Sequence, residues 1–263
     1  MSEENGGAGT NLATKSKYKS PDKFFPIVVD NFFDDPDALV KYGKSLPKEK
    51  VGLQPGLRTK HFWELDVELH NAILKKILSC YYDLDYTNIA WKLSNMSFHE
   101  ISRFSENKDN VKNKGWIHQD NGFFSDAGDD DLAGLIYLTP DIDPDSGTSL
   151  WTLKSNFQYN FATQSMMGRT EEQARGDGWT DHKENFNEKL RVQNIFNRLV
   201  MYDANEFHAA NNYYNDNEKD ARLTLVFFIG GLKIGGLKIG SYPLERVREK
   251  NCDEFIEYQC TLK

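Results

Sequence analysis

From Ala90 onward, short apolar runs alternate with polar turns, and this punctuation constrains the fold more than any other feature of the chain. The runs are AWKLSNMSFHEISRF, GWIHQD, LAGLIYLT, TSLWTL, NRLVMYDA, RLTLVFFIGG and EFIEYQCTL. So many short strand candidates favour antiparallel sheets closed into a barrel or sandwich. DPDSG at 143–147 supplies the Pro and Gly of a turn between two of them. The N-terminal third reads differently. Phe24 to Val29 is a strand candidate, and Asp35 followed by Pro36 announces a helix running to Ser45. A second helix near Asp66 to Cys80 carries Leu69, Ile73 and Ile77 on one stripe, with Leu74 and Leu78 beside them. The expectation is a mainly β fold with helices laid against a sheet.

Residues 1–22 are poor in large apolar groups and read as a disordered tail. Residues 23–263 then form a single domain, which at this length can bury a sizeable core. Between Ser155 and Asn197 the strand rhythm lapses into polar, partly helical material, expected to be a functional insert. Phe157, Tyr159, Phe161, Met166, Met167 and Trp179 within it are candidates for an adaptable substrate cleft. GGLKIGGLKIG at 230–240 reads as a duplicated hairpin end, and its spacing does not fit a dinucleotide-binding loop.

A net charge of -8 argues against nucleic acid as a partner, because phosphate-backbone binding needs clustered Lys and Arg. Cys80, Cys252 and Cys260 form neither a zinc pattern nor a disulfide framework and read as free thiols. The chain holds no apolar run of membrane-spanning length and no signal-peptide pattern near Met1, so cytoplasmic residence away from any membrane is expected.

Two short segments carry the chemistry: His118-x-Asp120 in WIHQDN and His208 in DANEFHAANN. On a strand, residues i and i+2 point to one face, so His118 and Asp120 can converge on one ion. Two imidazoles and one carboxylate make the facial triad of non-heme Fe(II) oxygenases, which leaves coordination positions open. Arg222, in ARLTLVFFIGG, offers a bidentate fork for a dicarboxylate. Other pairings are weaker. His182-x-Glu184 lies in the insert, where a helix would splay the two apart. Asp141, Asp143 and Asp145 resemble a calcium loop, but Ser146 and Thr152 stand where that loop needs Gly and Glu. The acidic run at Asp126, Asp129, Asp130 and Asp131 reads as a solvated loop, or as the mouth of a site for a cationic or peptidyl substrate.

These residues together resemble the Fe(II)/2-oxoglutarate-dependent dioxygenases, closest to the prolyl-4-hydroxylase-like branch and its small bacterial and phage members. FFPIVVDNFFDDPDALV is similar to that family's entry strand and first helix, and LAGLIYLTPDIDPDSGTSLW to the segment after its HxD motif. NRLVMYDANEFHAANN resembles the distal-histidine segment, and RLTLVFFIGG the strand bearing the co-substrate arginine. Where the family often has a tyrosine after an arginine ahead of HxD, this chain has Arg103-Phe104.

The resemblance implies a double-stranded β-helix, the cupin-like jelly roll. It implies His118, Asp120 and His208 as iron ligands, Arg222 as partner of the distal carboxylate of 2-oxoglutarate, and Tyr137 and Thr224 as further contacts to it. The implied reaction consumes O2 and 2-oxoglutarate, with ascorbate as a stimulant, and hydroxylates a small-molecule or peptidyl substrate with release of succinate and CO2. A carboxylate at Asp120 favours hydroxylation over halogenation in such a family. Two other readings of the residues stay open at this point. One is a non-catalytic jelly-roll module that binds a ligand or partner and holds metal for structure; the other is a cupin-like isomerase using the metal as a Lewis acid.

Overall fold

The computed structural model describes residues 18–19, 24–51, 55–85, 87–120, 130–154, 183–214 and 221–237. Its strands are β1 (Tyr18–Lys19), β2 (Ile27–Val29), β3 (Leu57–Arg58), β4 (Thr87–Ala90), β5 (Leu93–Ile101) and β6 (Asp130–Tyr137). They continue with β7 (Thr148–Leu153), β8 (Phe186–Val192), β9 (Leu199–Asp203), β10 (Phe207–Ala210), β11 (Arg222–Gly230) and β12 (Lys233–Leu237). The helices are α1 (Pro36–Ser45), the single turn α2 (Phe62–Leu65) and α3 (Val67–Leu78).

Both long helices start where their caps dictate. The Asp35 carboxylate accepts a hydrogen bond from the Ala38 N–H at 3.0 Å, with Pro36 in the first turn. Asp66 does the same for Leu69 at 2.9 Å. The inner stripe of α3, including Ile73, Leu74, Ile77 and Leu78, is buried against the sheet.

The large sheet has the order β2-β9-β6-β11-β5-β3, antiparallel throughout. A smaller sheet runs β10-β7-β8. The segment around His118 adds to its β10 edge through a two-way bridge: the His118 N–H donates to the His208 carbonyl at 2.9 Å and receives the reverse bond at 2.8 Å. In chain order the path steps from large to small sheet at His118, back at β6, across at β7 and β8, back at β9, across at β10 and back at β11. That alternation is the winding of a double-stranded β-helix, so the expected mainly β jelly roll with flanking helices is the fold.

β11 shows how the winding positions a site. All nine of its residues are buried, as a strand covered on both faces requires. Leu223, Leu225, Phe227 and Ile229 face the helices. Arg222, Thr224, Val226 and Phe228 face the space between the sheets. Beside β11, Gly134 of β6 allows close packing: a Cβ there would lie 2.4 Å from the Phe227 ring and 2.5 Å from the Val200 carbonyl.

Several sequence expectations need amendment. Tyr18–Lys19, expected within a disordered tail, pairs antiparallel with β12. The HKENFNEKLRVQN stretch, expected to be polar and partly helical, contains strand β8, with Phe186 and Val192 buried and the charged residues between them exposed. As an outer strand of the small sheet it is exposed on both faces between Phe186 and Val192, so no period of two is visible in its sequence. Of the GGLKI repeat, Gly230 ends β11 and Gly231 makes the turn after it, at φ 63°. The second pair lies inside β12, where the register against β4 shifts between Ile234 and Leu237. The aromatic and Met residues expected to line a cleft at 157–179, the EFIEYQCTL strand, His182, Asp126 and Asp129 lie outside the described residues, and Asp130 and Asp131, expected in a loop, begin strand β6.

Candidate metal centre

The bridge between the two sheet-edge segments brings the three sequence-predicted ligands together. His208 Nε2 lies 3.1 Å from one Asp120 oxygen and His118 Nε2 lies 3.6 Å from the other. All three ligand atoms fall within 4.8 Å of one another. Atoms bound about 2.1 Å from one ion at right angles would be separated by about 3 Å, so this cluster is near the spacing an ion requires. Asp120 is held by its N–H, which donates to the Ala204 carbonyl at 3.0 Å.

The tautomers also suit a metal. His118 Nδ1 lies 2.8 Å from the Trp116 carbonyl and His208 Nδ1 lies 3.0 Å from the Glu206 carbonyl. Each Nδ1 must therefore carry a proton and donate it to the carbonyl, so Nε2 is the nitrogen left for an ion. In the metal-free protein a second proton on His208 Nε2 bonds to Asp120. Among the described residues the cluster has three protein ligands, the number that leaves positions open for other molecules.

The electrostatics of the triad are divided between its members. Burial, then the facing His208, pushes the His118 pKa down to about 4. Burial also works against a charged His208, yet the charge and hydrogen bond of Asp120 outweigh it and raise the His208 pKa above its ordinary value. Burial would raise Asp120, but His208 and His118 hold it below the usual carboxylate value. A raised imidazole pKa stabilises the metal-free fold below pH ~6.5, and that contribution is lost as pH rises through the folded-state value. An ion must displace the same proton. Binding of one divalent ion at pH 6.5 is therefore expected to release between about one half and one proton, from His208 alone. Calorimetry in buffers of different ionisation enthalpy measures this, and release of no proton would contradict the assignment.

Arg222 enters the same cavity, which has a volume of about 160 Å³. Its side chain is buried, its Nε has no hydrogen-bond partner, and no carboxylate of the described residues pairs with it. Its guanidinium lies 5.4 Å from the Tyr137 ring centre and 5.8 Å from that of Tyr213. The Tyr137 hydroxyl donates to Thr148 Oγ1 at 2.8 Å, so this residue reaches the cavity through Arg222 and Thr148. Thr224 lines the cavity and sits opposite Tyr137 on the sheet, with a long 3.4 Å hydrogen bond from its hydroxyl to the His99 carbonyl.

The sequence reading missed Arg58, His99, Trp116, Tyr202 and Tyr213, which also line the cavity. Tyr213 follows the distal histidine in HAANNYY and packs edge-on against Phe104, with ring centres 5.5 Å apart. The Arg103-Phe104 pair thus supports an aromatic that arrives from another segment. His99 Nε2 meets the Pro55 carbonyl at 2.5 Å, and burial followed by the Arg58 charge drives its pKa down to about 3.

Solved structures similar in fold include HygX from Streptomyces hygroscopicus with nickel, 2-oxoglutarate and hygromycin B bound. It is 13% identical over 78% of this chain and 82% of that one, with a TM-score of 0.46. A Pseudomonas putida prolyl-4-hydroxylase is 11% identical over 78% of this chain and 91% of that one, with a TM-score of 0.40. SnoN, the non-heme alpha ketoglutarate dependent epimerase from nogalamycin biosynthesis, is 11% identical over 78% of this chain and 77% of that one, with a TM-score of 0.43. A search among curated proteins finds no match. No helix among the described residues is long and apolar enough to cross a membrane. A sequence profile described as "Family of unknown function (DUF6445)" matches residues 17–229, and the chain belongs to that family.

Proposed function

We propose that the protein is an Fe(II)- and 2-oxoglutarate-dependent oxygenase that hydroxylates a substrate held in the cavity between the two sheets. The observation that carries this reading is a single cavity containing an open three-ligand cluster and a buried, unpaired guanidinium. A buried cation without an anion is costly, so a fold that keeps one there is built for an anionic ligand. A structural metal site would ordinarily be closed by a fourth protein ligand.

His118, Asp120 and His208 would hold the ion, and Arg222 would grip the distal carboxylate of the keto acid, with the Tyr137 ring behind the guanidinium. When bound, iron and 2-oxoglutarate supply oxygen activation coupled to decarboxylation, yielding succinate, CO2 and a hydroxylated product. The chain's own contribution is orientation and dryness. The carbonyls of Trp116 and Glu206 fix the imidazoles, and Trp116, Tyr202, Tyr213 and Phe228 surround the reaction space with aromatic surface.

The test is conversion of 2-oxoglutarate to succinate by the purified full chain with Fe(II) and ascorbate, alongside mass spectrometry of metabolite and peptide pools for a +16 Da product. Slow succinate formation without substrate, and a product requiring both iron and 2-oxoglutarate, are expected. A folded, metal-loaded protein that forms no succinate with any pool would favour a binding module instead.

A further inference from the structure

A second buried guanidinium faces the cavity. Arg58, on β3, is 8% exposed and lines the pocket with the triad and Arg222. Its Nε has no hydrogen-bond partner, and among the described carboxylates Asp120 acts on its charge through space without a direct ion pair. Its closest aromatic support is Phe228, whose ring centre lies 5.6 Å from Cζ. Burial lowers its pKa to about 10, so it remains a cation at neutral pH.

The backbone holds this residue in place from two sides. Arg58 and Glu49 exchange backbone hydrogen bonds of 2.8 and 2.9 Å, and on its other edge Arg58 pairs with His99 of β5. His99 pairs in turn with Thr224, and Thr224 with Tyr137, so these four residues form one row across the inner face of the large sheet. Two strand spacings, roughly 10 Å, separate the Arg58 backbone from β11. Arg58 therefore enters from a different side of the cavity than Arg222.

Charge counting separates their tasks. A ferrous ion and dianionic 2-oxoglutarate cancel, and Asp120 offsets one of the two arginines. One positive charge remains in a partly aromatic cavity. We propose that Arg58 is a specificity-determining residue that binds the carboxylate of a small monoanionic substrate. This assignment rests on the oxygenase reading for its charge count. A phosphate dianion would leave an extra buried negative charge, whereas a carboxylate matches the planar fork one to one. The same space of about 160 Å³ must also take the ion and the keto acid, so what it leaves for a substrate is small.

The experiment uses the full chain loaded with Ni(II), a redox-inert stand-in, and saturated with 2-oxoglutarate. Calorimetry then compares a panel of N-acetyl amino acids with their methyl amides, with inorganic phosphate as competitor. At least one carboxylate is expected to bind at least about tenfold more tightly than its amide. Arg58→Gln should erase that preference while 2-oxoglutarate affinity stays within about twofold, and Arg58→Lys should retain part of it. Circular dichroism is the folding control, and Arg58→Lys serves if the Gln variant does not fold.

The proposal is overturned if no carboxylate binds the wild type, if the preference survives in Arg58→Gln, or if phosphate competes as well as the carboxylate. It is also overturned if Arg58→Gln loses 2-oxoglutarate binding that the wild type shows, which would give Arg58 to the co-substrate. Failure of the wild type to bind 2-oxoglutarate sinks the oxygenase reading instead. The carboxylate preference is then read on the Ni(II) protein alone, where its loss in Arg58→Gln supports Arg58 and its absence from the wild type or its survival in Arg58→Gln overturns the assignment.

Discussion

Asp120→Ala is expected to lower divalent-metal affinity by more than about 100-fold and to abolish succinate formation. The bound is set by comparison: loss of a group that merely orients a metal ligand costs about 10–100-fold, and Asp120 would be a ligand itself. The variant also removes what keeps His208 basic. Burial opposes a charged His208, and the Asp120 charge and hydrogen bond overcome it. Without the carboxylate, burial wins and the His208 pKa should fall below its ordinary value near 6.5. NMR titration of the metal-free proteins reads this independently of activity. Asp120→Asn separates shape from charge: it preserves packing but should resemble Ala in both metal affinity and His208 titration. Near-normal metal binding in either variant would show that the ion is held elsewhere.

Arg222→Met is expected to weaken 2-oxoglutarate binding by about 100-fold while metal affinity stays within about twofold. Two charge-assisted hydrogen bonds to one carboxylate contribute about 3 kcal/mol or more, which sets that factor. Stability should respond in a way that a structural arginine would not. Breaking a buried ion pair commonly costs about 3–5 kcal/mol, because the abandoned partner stays charged. Arg222 pairs with no described carboxylate, so its replacement abandons none. What is lost is the contact with the Tyr137 and Tyr213 rings, offset by relief of an unpaired buried charge. The urea midpoint of the metal-free variant should therefore match or exceed the wild type. A large fall in midpoint with unchanged 2-oxoglutarate affinity would make Arg222 a structural residue.

What could be read from the sequence was whatever depends on local periodicity. Arg222 and Thr224 share a face because β11 repeats every two residues; His118 and Asp120 follow the same spacing on an extended segment that has a single bridge at His118 rather than the expected strand. The two long helices carry their own start signals in Asp35 and Asp66. Arg58 could not be found in this way. It lies on a two-residue strand whose existence depends on pairing with Glu49 and with distant β5, and GLRTKHF has no period of its own. Tyr213 was hidden for a similar reason, since only the closed winding turns that segment toward Arg222. Strand β8 escaped notice because residues 187–191 are all exposed and show no alternation, whereas its pairing with β7 is set by contacts remote in sequence.

A crystal structure of the full chain soaked with Ni(II) and 2-oxoglutarate, with anomalous scattering recorded at the nickel edge, addresses the central assignment most directly. One anomalous peak is predicted within bonding distance of the His118 and His208 Nε2 atoms and an Asp120 oxygen, with the distal carboxylate of the keto acid on the Arg222 guanidinium. A peak away from those three side chains, or a keto acid bound without Arg222, would contradict it.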